Sequence, residues 1–119
     1  MEKKQITIQV FDEVGGTAAI SVDDGNTIFK KIDHAITNDV KVVLSFQNIE
    51  LIITAFLNAA IGQLYSKYNS EQLTTFLQIT NVRPEDKRLF NMVIERAKDY
   101  FSNPASFDAS INAEMSTND

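Results

Sequence analysis

Residues 5–11, "QITIQVF", alternate apolar and polar side chains and carry β-branched residues, a pattern that predicts a half-buried strand. Gly15-Gly16 then signals a hairpin turn, and residues 17–22 read as the return strand. Residues 23–26, "DDGN", read as a loop in which Asp24 or Asn26 caps a helix, because a short polar side chain satisfies the free N–H groups at a helix start. Over residues 27–37, Ile28, Phe29, Ile32, Ala35 and Ile36 fall on one helical stripe. "VKVVLSF", residues 40–46, is a nearly continuous apolar run of strand length, the pattern of a central strand covered on both faces.

The spacing predicts a second helix over residues 54–68, with Phe56, Leu57, Ala60, Ile61, Leu64, Tyr65 and Tyr68 on its buried face. Beside that face runs a stripe of small residues, Ala55, Ala59, Gly62 and Ser66. A short strand is predicted within residues 73–80. A last helix then starts with Pro84 at its first position, where the missing N–H does no harm, and with Glu85 and Asp86 favourably placed for the helix dipole. Leu89, Phe90, Val93, Ile94, Ala97, Tyr100 and Phe101 supply its buried face. The order β-β-α-β-α-β-α predicts an α/β domain: an N-terminal β-hairpin plus two β-α units, about four strands in a mixed sheet, and three helices mostly on one face. Residues 1–102 form that domain, and the polar, poorly periodic residues 103–119 are expected to be a flexible tail.

Composition narrows the function classes. With 119 residues, 44% of them apolar and 23% charged, the chain suits one compact domain. A formal charge of -5 argues against a nucleic-acid partner. The absence of cysteine rules out disulfides and thiolate metal sites and agrees with a reducing cytoplasm, and a single histidine, His34, rules out a His-based metal cluster. No apolar run approaches the roughly 20 residues of a membrane span, and the charged start followed at once by a strand pattern does not resemble a signal peptide.

Candidate chemistry is sparse. Gly15-Gly16 precedes a strand and is followed by no Lys-Ser/Thr, so it is not a phosphate loop. Asp23-Asp24-Gly25-Asn26 lacks the closing glutamate of a calcium loop. His34 has no nucleophile or carboxylate beside it in the pattern and reads as a surface histidine. Ser45 lies inside an apolar strand, where its hydroxyl needs a partner. Arg83 and Lys87 straddle a helix start, and a solvated role is expected for them. The joint at residues 47–56 holds one carboxylate, Glu50, and one hydroxyl, Thr54, with no glycine; Thr54 is expected to cap the helix. The small stripe either packs inside or offers a flat docking face, flanked by Asn58 and Gln63. No nucleophile–base pair supports an enzyme.

Residues 41–65, "KVVLSFQNIELIITAFLNAAIGQLY", resemble the STAS-like family of domains of unknown function (DUF4325), which is similar to the STAS domains of anti-sigma factor antagonists. The resemblance rests on a hydrophobic strand, a short polar link, an aliphatic pair, a small-or-hydroxyl pair before Phe56 and a small-residue helix with Gly62. In anti-sigma antagonists the joint carries an Asp-Ser-Ser-Gly sequence or a close variant, whose second hydroxyl is phosphorylated. By register those positions fall at Ile53, Thr54, Ala55 and Phe56, so only Thr54 keeps a hydroxyl, and Ala55 cannot accept phosphate. Relatives often have an aspartate where Ser45 stands.

The resemblance implies a regulatory protein-binding module of bacterial cytoplasmic signalling that lacks the phosphoacceptor serine. Its expected partner is a protein of the histidine-kinase-like ATPase kind, and a homodimer is left open. Glu50, Thr54, Asn58, Ala59, Gly62, Gln63 and Ser66 are the candidate partner-binding residues, and Thr54 is the one remaining candidate phosphoacceptor. No catalytic residue, metal or cofactor is expected. The competing reading is a small-ligand or nucleotide-binding module without catalysis.

Overall fold

The structure, a computed structural model, describes residues 4–102. They form a mixed α/β body with five helices and two small parallel sheets. Strand β1 (Gln5–Gln9), β3 (Lys41–Ser45) and β5 (Leu77–Thr80) make one sheet in the order β1-β3-β5. Strand β2 (Ala18–Ala19) and β4 (Leu51–Ile52) pair separately, also in parallel. In the larger sheet the register aligns Ile6, Val42 and Leu77, then Ile8, Leu44 and Ile79, on one face. That face is buried at Ile8, Val42 and Leu44. The other face carries Thr7, Val43 and Gln78, of which Thr7 and Gln78 are exposed and Val43 is half-buried. The two crossovers step across the sheet in the same direction, so right-handed connections lay their helices on one side of it. The central strand is therefore covered on one face, not two.

The expected N-terminal hairpin does not form. The strand stops at Gln9, and helix α1 (Val10–Val14) follows directly. Gly15 closes that helix in the left-handed region, φ 78°, and the N–H groups of Gly15 and Gly16 both donate to the carbonyl of Phe11 at 3.0 Å. A glycine that permits positive φ serves a helix C-cap as readily as a hairpin turn. The expected return strand shrinks to Ala18–Ala19 and pairs with β4 instead of β1. The sheet is thus three plus two parallel strands, not four mixed ones.

Helix α2 (Val22–Thr37) starts earlier than its apolar stripe suggested. Ser21, not Asp24 or Asn26, caps it: its Oγ accepts the N–H of Asp24 at 3.2 Å. Lys31 of α2 donates to both carboxylate oxygens of Glu13 at 2.7 and 2.9 Å and so ties α1 to it. The predicted second helix is broken in two: α3 (Thr54–Ala60) gives way to a 3₁₀ turn (Gly62–Ser66). The short strand expected within residues 73–80 is β5, and residues 73–76 ahead of it belong to helix α4 (Ser70–Phe76). Its start carries a reciprocal cap, in which Asn69 Oδ1 accepts the Gln72 N–H at 2.8 Å and Gln72 Oε1 accepts the Asn69 N–H at 2.9 Å. A 3₁₀ turn at Pro84–Asp86 leads into α5 (Lys87–Ser102).

The core joins Ile28 and Ile32 of α2, Leu44 and Phe46, Phe56 and Leu57 of α3, Leu64, and Phe90 and Val93 of α5. The expected tail, residues 103–119, lies outside the described residues.

A polar clamp holds the far end of α2. Asp33 accepts Lys67 Nζ at 2.8 Å and the Tyr68 hydroxyl at 2.6 Å, and these hydrogen bonds hold its carboxyl below the usual carboxylate value. A depressed folded-state pKa contributes stability above the unfolded value of about 3.9, and that stability is lost as pH falls through the folded value. Asp33→Asn is therefore expected to be less stable than the parent at neutral pH, with the two converging as pH falls below about 4. Urea melts at stepped pH check this, and a difference that persists undiminished in acid would contradict it.

Candidate functional site

The joint between β3 and α3 is held at both ends. Ser45, buried at the end of β3, has the partner its position demands: Asn81 Nδ2 donates to its Oγ at 2.9 Å, and the Gln47 N–H does so at 3.3 Å. Asn48 and Asn81 take the left-handed conformation at φ 70° and 61°, which asparagine tolerates better than most residues. The N–H groups of Glu50 and Leu51 donate to Thr17 O at 2.7 and 3.2 Å, and that of Ile53 donates to Ala19 O at 3.2 Å. The joint is thus pinned along the stretch that leads from β1 to α2. Arg83 is engaged with its own turn, its Nε 2.9 Å from Asp86 Oδ2. His34 is exposed.

Helix α3 begins without a side-chain cap. Ile53 occupies the cap position and Thr54 is the first helical residue, so the expected capping role of Thr54 is not realised. The hydroxyl sits one position too far into the helix to reach the free N–H groups as a cap does.

The sequence-predicted site residues do not share one face. Glu50 is exposed and Thr54 half-buried at the joint. Ala59, in contrast, is only 6% exposed and packs on α2. A Cβ built at Gly25 would lie 2.8 Å from Ala59 Cβ and 2.8 Å from the Phe56 carbonyl oxygen. The small stripe therefore packs inside at Ala59, where α2 and α3 approach closely. Gly62 is buried as well. Gln63 reaches back to α2, its Nε2 donating to Asn26 Oδ1 at 2.6 Å and to Ala59 O at 2.8 Å. Ser66 is exposed, and its hydroxyl donates to Gln63 O at 2.6 Å. Asn58, Gly62 and Gln63 form one wall of a groove of about 560 Å³ whose other wall is the end of α5.

The structure adds a feature that the pattern did not disclose. The register Ala18↔Leu51 and Ala19↔Ile52 turns Ala19 and Ile52 inward, where both are buried. It leaves Ile20, Leu51 and Ile53 outside, 49%, 53% and 38% exposed, with Val22 exposed just after them. Asp23 and Glu50, both exposed, stand next to this aliphatic patch in the chain. In the sequence, Ile49, Leu51 and Ile53 alternate as a strand does, but Ile52 between them hides which side faces out.

Among the described residues no group of three or more His, Cys, Asp or Glu side chains is placed to hold a metal ion, and no helix is long and apolar enough to cross a membrane. No curated protein and no solved structure matches the chain significantly. A family profile matches residues 24–87, from the first turn of α2 through the joint and β5 to the start of α5, and covers more than half of the sequence. The protein belongs to the family described as a STAS-like domain of unknown function, DUF4325.

Proposed function

We propose that this domain is a regulatory module that binds another protein through the joint, and that it does so without catalysis and without a phosphorylation switch. One observation carries the reading: Ile20, Leu51 and Ile53 are exposed together on the outer face of the β2–β4 pair, beside the start of α3. Large aliphatic side chains grouped on a surface are a mark of an interaction site. Asp23 and Glu50 beside them favour a partner with basic residues around an apolar centre. Ala55, at the register of the phosphoacceptor in anti-sigma antagonists, has no hydroxyl to modify.

The similarity to those antagonists makes a kinase-like ATPase of the bacterial cytoplasm the expected partner class. The test is affinity capture with the intact protein and a Leu51→Asp/Ile53→Asp variant, whose exposed positions tolerate charge without unfolding the body. The parent is expected to retain an ATPase of this kind and the variant to lose it, while both give the same thermal melt. Equal retention by both proteins, or capture of no such ATPase, overturns the reading.

A further inference from the structure

Strand β1 is one edge of the three-stranded sheet, and among the described residues no strand borders its outer side. The Lys41 N–H donates to the Lys4 carbonyl at 2.9 Å, so the backbone of Lys4 turns toward β3. Main-chain groups alternate in direction along a strand. Those of Ile6 and Ile8 therefore also turn to β3, and those of Gln5, Thr7 and Gln9 turn outward. Gln5, Ile6 and Thr7 are exposed, and Ile6 is 42% exposed although it shares a face with buried Ile8. Edge strands are commonly blunted by a proline, a charge or a bulge. Gln5–Gln9 has none of these, and its register on β3 runs without a break. The opposite edge, β5, has four residues against five, and only Gln78 of it is exposed.

The outer side of β1 is complementary to itself. Two copies laid antiparallel about Thr7 set Thr7 opposite Thr7, Ile6 opposite Ile8 and Gln5 opposite Gln9. Thr7 and its counterpart are then a pair that exchanges both backbone hydrogen bonds. The Gln9 carbonyl serves α1 from the cap position, but the Gln9 N–H is left to donate to the Gln5 carbonyl of the other copy. A two-fold axis perpendicular to the sheet keeps the helices of both copies on one face and closes the assembly as a dimer. On that face Ile6 of each copy comes beside Ile8 of the other. The apolar row then continues across the groove of about 710 Å³ between β1 and α2, which Ile6, Ile8, Ala35 and Val40 line. Charge selects the direction of pairing. Exposed Lys4 precedes the strand, and α1, with Asp12 and Glu13 in its first turn, follows it. Antiparallel pairing brings Lys4 of each copy to the acidic helix of the other, whereas parallel pairing sets lysine beside lysine and acid beside acid.

We infer that β1 pairs antiparallel with β1 of a second copy of this chain, centred on Thr7, and joins the two three-stranded sheets into one. Sedimentation equilibrium of the full chain, up to millimolar concentration, is expected to show a monomer–dimer equilibrium. Thr7→Pro removes an outward N–H that the monomer's sheet does not use, a position where an edge strand accepts proline. It is expected to raise the dissociation constant roughly tenfold or more, since two hydrogen bonds are lost per dimer, with an unchanged thermal melt. A chain that stays monomeric throughout, or a variant that dimerises as well as the parent, overturns the inference. If the variant melts early, amide exchange in the parent decides. Exchange at Thr7 is expected to slow as concentration rises while exchange at Ile6 stays constant, and a Thr7 rate independent of concentration overturns the pairing. Because the chain has no cysteine, single cysteines test the register. Thr7→Cys places the two Cα atoms about 5.5 Å apart, within reach of a disulfide, and is expected to cross-link under mild oxidation. Gln5→Cys leaves its two copies offset by four residues, about 14 Å, and is expected to remain uncross-linked. Equal cross-linking at both positions, or none at Thr7→Cys, rejects an antiparallel pair centred on Thr7.

Discussion

Gly25→Ala is expected to destabilise the protein by about 1–3 kcal/mol, the usual cost of adding a methyl to a well-packed contact. Elsewhere in a helix the same substitution gains about 1 kcal/mol, because alanine loses less backbone entropy than glycine. Here the sign reverses. The new Cβ would stand 2.8 Å from the Phe56 carbonyl oxygen and 3.3 Å from the Ala60 nitrogen, and neither backbone atom can rotate away. Helices α2 and α3 would have to separate, and the Gln63–Asn26 hydrogen bond at 2.6 Å between the 3₁₀ turn and α2 would be strained with them. Ala59→Gln acts on the same contact from the other side and is expected to be at least as damaging. Thermal melts of both variants check this. An unchanged or raised melting temperature for Gly25→Ala would show that the helices are not held at this spacing.

That contact also shows what the sequence discloses and what it hides. The small stripe at Ala55, Ala59, Gly62 and Ser66 is visible in the chain, but its direction is not. Its partner, Gly25, sits in "DDGN", a string that reads as a loop because glycine and aspartate favour turns. In the fold it is the first turn of α2, where Asp23 and Asp24 suit the helix dipole and glycine suits the close approach. The long elements were legible because their periodicity extends over many residues: the stripe of α2, the apolar run of β3 and most of α5.

Short elements were not, since a few residues satisfy two patterns. Val10 continues the apolar alternation of Ile6 and Ile8, and Phe11 is a strand-favouring aromatic, yet both belong to α1. The Thr-rich run at Thr74 and Thr75 looks like strand, although the Asn69–Gln72 reciprocal cap was present in the sequence and marks a helix start. The aliphatic patch at the joint was illegible for a different reason. Leu51 through Ile53 is apolar on both sides of a strand, so alternation does not say which side faces out, and only the pairing of β2 with β4 shows which side is left open.

Phe46→Ala is expected to have the largest effect of any single truncation at the joint, about 3–5 kcal/mol, the range for removing a buried aromatic ring. Phe46 follows Ser45 at the end of β3 and is fully buried. Its ring meets Phe90 of α5 edge to face, with centroids 4.8 Å apart and planes at 88°. Such a pair contributes about 0.5–1.5 kcal/mol beyond the area it buries. The backbone is tied in as well, since the Phe46 N–H donates to Thr80 O at 3.0 Å and its carbonyl accepts the Ile49 N–H at 3.1 Å. One residue therefore anchors the sheet, the last helix and the first turn of the joint, so the cavity cannot close by a small shift of one element. Phe46→Leu, which keeps most of the volume, separates the two contributions: it should recover the larger part of the loss and leave only the aromatic share. Urea denaturation of the two variants gives both numbers. If Phe46→Ala proves nearly neutral, the joint is held by its backbone hydrogen bonds and not by this ring, and the exposed aliphatics at Leu51 and Ile53 rest on a looser base than the packing indicates.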